Sequence, residues 1–180
     1  MQRSCTLQEL TSRMHTEIKT STTLKDESDM KVIFLDIDGV MNSEDWYEFI
    51  EGTDLDKSKG FDRDIDYRTV KLLDLYIKKH DLYIVITSSW RELTLKQTLQ
   101  VLGETAMVDI IDRIIGQTTR RFDGNRGKEI DMFLKDRPEI DEFYIIDDDC
   151  FDIHQKEHLI HTDYEHGLTK EDLDKMTWKK

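Results

Sequence analysis

From residue 31 onward the chain alternates short apolar runs with stretches of helical periodicity, the pattern expected of strands and helices taking turns around a parallel sheet. The run at 32–35 predicts a first strand. Tyr67, Val70, Leu73 and Ile77 share one helical face, widened by Leu72 and Tyr76, and the run at 82–86 follows at once, which predicts one βαβ unit. Residues 93–102 read as the next helix, closed by Gly103, and 113–115 as a short third strand before Gly116. A helix over 129–134 turns Ile130, Phe133 and Leu134 inward; strands are expected at 143–146 and 159–160, and Thr169 caps a terminal helix reaching Met176. The sum is an α/β domain with a central parallel sheet flanked by helices and without internal repeats.

The first 29 residues differ in kind. Leu7, Leu10, Met14 and Ile18 fall at roughly helical spacing, and a Ser/Thr/Asp/Lys stretch fills 20–29, so a helix plus linker of no assigned role is expected ahead of one domain over 30–180. A second reading starts the working protein at Met30. The length of 180 residues suits one domain of ~150 residues with a short appendage.

Composition narrows the class. With 37% apolar residues the chain can bury a core, while 36% charged residues and a mean hydropathy of −0.63 imply a well-solvated surface. No apolar run approaches the ~18–20 residues of a membrane span, and the start lacks a basic-then-apolar leader, so a cytoplasmic protein with no membrane partner is expected. Thirty-nine acids against 26 bases leave a net charge of −13, which argues against a non-specific nucleic-acid coat and leaves local recognition of one phosphate open. Cys5 and Cys150 read as free thiols.

In a parallel sheet the ligand site lies beyond the carboxyl ends of the strands. There the sequence places Asp36-Ile37-Asp38-Gly39 after the first strand, Thr87-Ser88-Ser89-Trp90-Arg91 after the second and Asp147-Asp148-Asp149 after the fourth. Converging carboxylates raise one another's pKa and call for a cation. An oxygen-only donor set without a His or Cys cluster points to Mg²⁺, with Asp36, Asp38, Asp147 and Asp148 as candidate ligands. In Asp36-x-Asp38 one carboxylate can attack phosphorus while the other moves a proton, and Gly39 lets the backbone turn tightly beside the substrate.

The stretch Val32-Ile33-Phe34-Leu35-Asp36-Ile37-Asp38-Gly39-Val40-Met41-Asn42 resembles the first motif of the haloacid dehalogenase (HAD) superfamily of phosphotransferases. A hydroxyl after strand two, a basic residue opening a later helix and an acidic pair after another strand complete the motif set, from Lys31 to about Asp152. The resemblance implies a Rossmann-like HAD fold, Mg²⁺, Asp36 as nucleophile and Asp38 as general acid and base. It implies Thr87 as the phosphate-gripping hydroxyl, with Ser88 as the alternative one residue on. The motif's basic residue is Arg126 or Lys128; Asp148 and Asp147 are the late carboxylates, with Asp152 a further candidate. A cation at a helix start opposes the dipole, so an anionic partner is expected there.

Thr87-Ser88-Ser89-Trp90-Arg91, Arg126-Gly127-x-Glu129-Ile130 and Thr162-Asp163-x-x-x-Gly167-Leu168-Thr169 look more specifically like the HAD domain of the RNA repair proteins called Swiss Army Knife. That resemblance implies removal of a terminal phosphate from nucleic acid or a nucleotide, as in a polynucleotide 3′-phosphatase. Trp90 and Arg91 then read either as a base-stacking ring and a second phosphate grip or as packing and an internal ion pair. His161 and His166 are read as structural. Between Gly39 and Tyr67 there is no room for a large cap; the aromatic cluster of Trp46, Tyr47 and Phe49 with Ile50 is a flap or a satellite core. Competing functions are a small-metabolite phosphatase, a receiver-type signalling domain and a non-hydrolytic phosphate-binding protein.

Overall fold

The computed structural model describes residues 30–58, 61–121 and 124–179; the helix and linker expected over 1–29, and Cys5, lie outside them. Five strands form one wholly parallel sheet: β1 (Met30–Leu35), β2 (Tyr83–Ile86), β3 (Ile114–Gln117), β4 (Ile140–Asp147) and β5 (Leu159–His161). Their order is β3-β2-β1-β4-β5, which puts the first strand at the centre. The helices are α1 (Glu44–Ile50), α2 (Tyr67–His80), α3 (Leu95–Leu102), α4 (Arg126–Lys135) and the short α5 (Lys170–Leu173), with 3-10 turns at Phe61–Asp64, Ala106–Arg113 and Lys156–His158.

Both faces of the sheet are covered, which is why β1 is an unbroken apolar run. Ile33 and Leu35 join a core with Val70, Leu73 and Ile77 of α2 and Met107 and Ile110 of the long 3-10 turn. Val32 and Phe34 face the other way, against Ile130 and Phe133 of α4. The period of two along β1 thus separates two cores, and all four residues are fully buried.

The departures from the sequence reading have local causes. Thr94 caps α3, accepting from the Gln97 N–H, so the helix starts at Leu95 and Leu93 is left 93% exposed. β3 continues through Gly116 because that residue lies under Phe133 of α4, where an added Cβ would come within 2.9 Å of the ring. Tyr67, placed by periodicity on the inner face of α2, is exposed at its first turn. Thr169 does cap α5, through a capping box with Asp172, but the helix ends at Leu173 while Met176 still packs inward. The aromatic cluster forms α1, with Trp46 and Ile50 buried at i and i+4. The Trp46 indole donates to the Arg63 carbonyl at 2.7 Å, and Phe49 stacks on its ring, so the cluster is a satellite core and not a flap.

Candidate active site

Register brings the candidate residues together. Leu35 pairs with Ile86 on one side and Ile146 on the other, so Asp36, Thr87 and Asp147 leave the sheet side by side. The ladder runs one step further: the Asp36 N–H donates to the Ile146 carbonyl and the Thr87 N–H to the Leu35 carbonyl, each at 2.9 Å.

Asp36, Asp147 and Asp148 each offer an oxygen within 4.8 Å of the others. Asp36 and Asp147 are buried and Asp148 is half-buried. Burial pushes the Asp147 carboxyl up to about 7, and the Asp36 charge pushes the same way while the Arg126 guanidinium opposes both. Asp36 and Asp148 are raised too, again chiefly by burial. Asp147 Oδ1 accepts from the Asp149 N–H at 2.9 Å, but its buried Oδ2 has no hydrogen bond. Three hard oxygen donors, one of them without a hydrogen bond, with pKa values lifted chiefly by burial, fit a divalent ion such as Mg²⁺. Gly39 seats the cluster: its φ is +67°, and a Cβ there would come 2.3 Å from Asp148 Oδ2.

Arg126 is the cation that reaches these carboxylates. It opens α4 behind the Asn125 cap, with Nη2 3.1 Å from Asp36 Oδ2 and Nε 3.4 Å from Asp147 Oδ2, so the unfavourable charge at a helix start has the anionic partners it needs. Its Nη1 is buried without a hydrogen bond. Lys128, two residues on, is exposed and forms no ion pair among the described residues. The remainder of Arg126-Gly127-x-Glu129-Ile130 also has its reasons. Gly127 lets α4 approach the 152–155 loop, where a Cβ would meet the Asp152 carbonyl at 2.9 Å, Glu129 pairs inward with Arg91, and Ile130 enters the core beneath β1.

Asp38 stands apart from the three-carboxylate cluster, contrary to its placement among the metal-ligating side chains. Its Oδ1 accepts from the Trp90 indole at 2.9 Å and from Asn42 Nδ2 at 3.2 Å, and its Oδ2 from the Ser89 hydroxyl at 3.2 Å. The carboxyl group is thereby held by donors, not shared with the other acids.

The two hydroxyls left open by the sequence have different surroundings. Ser88 hydrogen-bonds the Asp36 side chain. Thr87 is fully buried, its hydroxyl accepting from Thr118 at 3.3 Å, and Thr118 in turn accepts from Arg91. Arg91 is an internal residue, not a second phosphate grip: its side chain is 6% exposed and is taken up by Glu129 at 2.8 Å, the Ser88 carbonyl at 2.6 Å and Thr118. Asp149 and Asp152 are exposed at the rim of a small polar cleft lined also by Gly124, Arg126 and Asp147. His161 contacts the Asp148 carbonyl at 2.8 Å, and His166 pairs with Asp45 on the surface.

Thr118 escaped the sequence reading, and Asn42, Ser89 and Glu129 entered it only as motif positions without a role; all four are defined by what they touch across the fold. Thr162 donates to the Gly39 carbonyl at 2.9 Å, and the Leu168 N–H to the Val40 carbonyl at 2.9 Å. The late Thr-Asp…Gly-Leu segment therefore braces the loop after β1.

A family model for the HAD domain in Swiss Army Knife RNA repair proteins matches residues 32–173, from the first strand to the last helix. The chain belongs to this family. Neither a curated protein nor a solved structure matches it. Membership supports a phosphatase-type function, and HAD domains generally use Mg²⁺, which the carboxylate cluster of this HAD domain fits. No described helix is long and apolar enough to cross a membrane, and Cys150 is a free thiol.

Proposed function

We propose that this HAD domain hydrolyses phosphomonoesters through an aspartyl-phosphate on Asp36, with the terminal phosphate of a nucleic acid as substrate. The observation that carries the reading is the meeting of Asp36, Asp147 and Asp148 beside an Arg126 Nη1 that is buried and unpartnered. The carboxylates would hold Mg²⁺, which when bound offsets the negative charge of these side chains and of the phosphoryl group. The Arg126 guanidinium supplies an oriented cation for phosphoryl oxygens, and the Ser88 hydroxyl, beside Asp36, orients the same group.

The Asp36 carboxylate attacks phosphorus, forming an acyl-phosphate bond as the bond to the ester oxygen breaks; the Asp38 carboxyl gives its proton to that oxygen and the alcohol leaves. Asp38, now a carboxylate, takes a proton from water as the water oxygen attacks phosphorus. Inorganic phosphate departs, and Asp36 is restored as a carboxylate with Asp38 protonated. The family's setting in RNA repair proteins supports a nucleic-acid end as the phosphate donor. An open site supports it too, because the described residues between β1 and α2 form only α1 and a 3-10 turn. The net charge of −13 favours the second reading, a small phosphomonoester such as a nucleotide.

The test compares phosphate release from 3′- and 5′-phosphorylated oligonucleotides and from mononucleotides at equal concentration, with Mg²⁺ or EDTA, for wild type and Asp36→Asn. Mg²⁺-dependent release that disappears in Asp36→Asn is expected. Turnover persisting in that variant removes the covalent mechanism, and faster turnover of mononucleotides transfers the substrate to the second reading.

A further inference from the structure

We propose that Trp90 is a positioning residue for Asp38: its indole N–H fixes which carboxyl oxygen carries the transferable proton. The inference rests on the role given to Asp38 above and adds a residue to it. Asp38 Oδ1 receives two N–H donors, the Trp90 indole at 2.9 Å and Asn42 Nδ2 at 3.2 Å. The orientation of the Asn42 amide is set independently, because its Oδ1 accepts from the Gly39 N–H at 2.9 Å and its Nδ2 also donates to the Asp64 carbonyl at 3.0 Å. Neither an indole nor an amide NH₂ can accept a proton from the acid. Oδ1 is thereby taken up by two donors, which leaves Oδ2, whose partner is the Ser89 hydroxyl at 3.2 Å, a group able to donate or to accept, as the oxygen free to exchange a proton.

Trp90 is suited to hold that geometry. Its ring is half-buried, packed against the core and set edge-on to Phe61 at 6.1 Å between centroids. Its backbone N–H is held by the Ser88 hydroxyl at 3.2 Å, and the Arg91 N–H closes the turn onto the Ser88 carbonyl at 3.3 Å. A donor fixed in this way keeps the acid oriented with little freedom to lose at each turnover, which a lysine or a water in its place would not do.

The consequence is a dependence on the leaving group. An ester whose oxygen departs as a poor alkoxide needs the proton from Asp38, whereas 4-nitrophenolate departs as a stabilised anion and needs it little. Values of kcat/KM, which cover the steps through alcohol release, are measured with Mg²⁺ for wild type and Trp90→Phe on an alkyl phosphate, a 3′-phosphorylated oligonucleotide and 4-nitrophenyl phosphate. The expected loss is roughly tenfold or more on the first two and within about threefold on the third. Site-specific replacement of Trp90 by 3-benzothienylalanine, which keeps the bicyclic shape and lacks only the N–H, gives the same pattern and guards against misfolding of the phenylalanine variant. In an Asp38→Asn background the replacement adds no further loss on the alkyl ester. Equal losses on all three substrates, or a loss confined to the oligonucleotide as stacking on a base would give, overturn the proposal. A wild-type protein inactive on all three instead overturns the reading of the site itself.

Discussion

Arg91 Nη1 lies 2.8 Å from Glu129 Oε2, with 6% and 1% of the two side chains exposed. The pair ties the loop after β2, which carries Ser88 and Trp90, to the first turn of α4, which carries Arg126. Glu129 Oε1 has no hydrogen-bond partner, so the pair is held mainly by one contact and by the Thr118 and Ser88 acceptors on the Arg91 side.

Removing one partner leaves a buried charge without compensation. Arg91→Met and Glu129→Leu are each expected to cost about 3–5 kcal/mol in denaturant melts, and the double replacement Arg91→Met/Glu129→Leu clearly less than the sum. Arg91→Lys does not restore the loss, because a lysine cannot span Glu129, Thr118 and the Ser88 carbonyl at once. A cost near zero for the single variants would contradict the internal role of Arg91.

The carboxylate cluster makes the metal-free protein sensitive to pH in a defined direction. The ordinary Asp147 value is 3.8 and the folded one about 7, so between them the folded protein binds more protons at this site than the unfolded chain. Stability from this site is therefore present at low pH and falls as pH rises through the window from about 4 to about 7. Asp36 and Asp148 shift in the same direction, and Arg126 opposes. In EDTA, wild type should lose thermal stability relative to Asp147→Asn between pH 5 and pH 7.5 when compared by calorimetry. Mg²⁺ reverses the difference: at about 100-fold over its Kd it stabilises by roughly 2.7 kcal/mol, about 5–10 °C for a chain of this size, and more at pH 7.5 than at pH 5. A melting temperature blind to Mg²⁺ at pH 7.5 would remove the metal site.

Gly39→Ala tests the seat beneath Asp148. The added methyl needs a φ that L-residues seldom adopt and meets the carboxylate at 2.3 Å, so Asp148 must move. The expected result is a fold destabilised by about 1–3 kcal/mol and Mg²⁺ affinity lowered at least about tenfold by titration calorimetry. Unchanged Mg²⁺ affinity would mean that Asp148 does not serve the site.

The two hydroxyls after β2 should separate in their effects. Ser88→Ala is expected to lower kcat roughly 10- to 100-fold, since it removes an oriented donor next to Asp36, and to cost about 1–3 kcal/mol of stability because the Trp90 N–H loses its acceptor. Thr87→Val removes the buried acceptor of Thr118 and is expected to cost about 1–3 kcal/mol of stability. The opposite assignment, activity lost in Thr87→Val without loss of stability, would return the phosphate grip to Thr87.

Much of this arrangement was legible because a parallel sheet converts chain order into geometry. The residues after β1, β2 and β4 had to meet, and the apolar runs located those strands to within a few positions. What stayed hidden were choices between neighbours and contacts across the fold. Strand ends leave a one-residue ambiguity, which is why Thr87 and Ser88 could not be separated. Arg126 and Lys128 have the same charge, and only the turn of α4 decides which of them meets Asp36. Asp38 looked like a further metal ligand because spacing says nothing about the indole, amide and hydroxyl that claim it. The helix at Glu44–Ile50 was missed because its two inward residues, Trp46 and Ile50, sit among polar and exposed positions too few to establish a period.

The Thr162 hydroxyl on the Gly39 carbonyl joins positions 123 residues apart, and Leu168 closes onto Val40 beside it. During synthesis the loop bearing Asp36 and Asp38 emerges from the ribosome early and stays unbraced until residue 168 has cleared the exit tunnel. Translation therefore delivers the carboxylates of this loop long before the segment that braces it, and a message truncated before that codon yields a chain in which Asp36 and Asp38 keep Arg126, Trp90 and Asn42 while the loop that bears them lacks its late support.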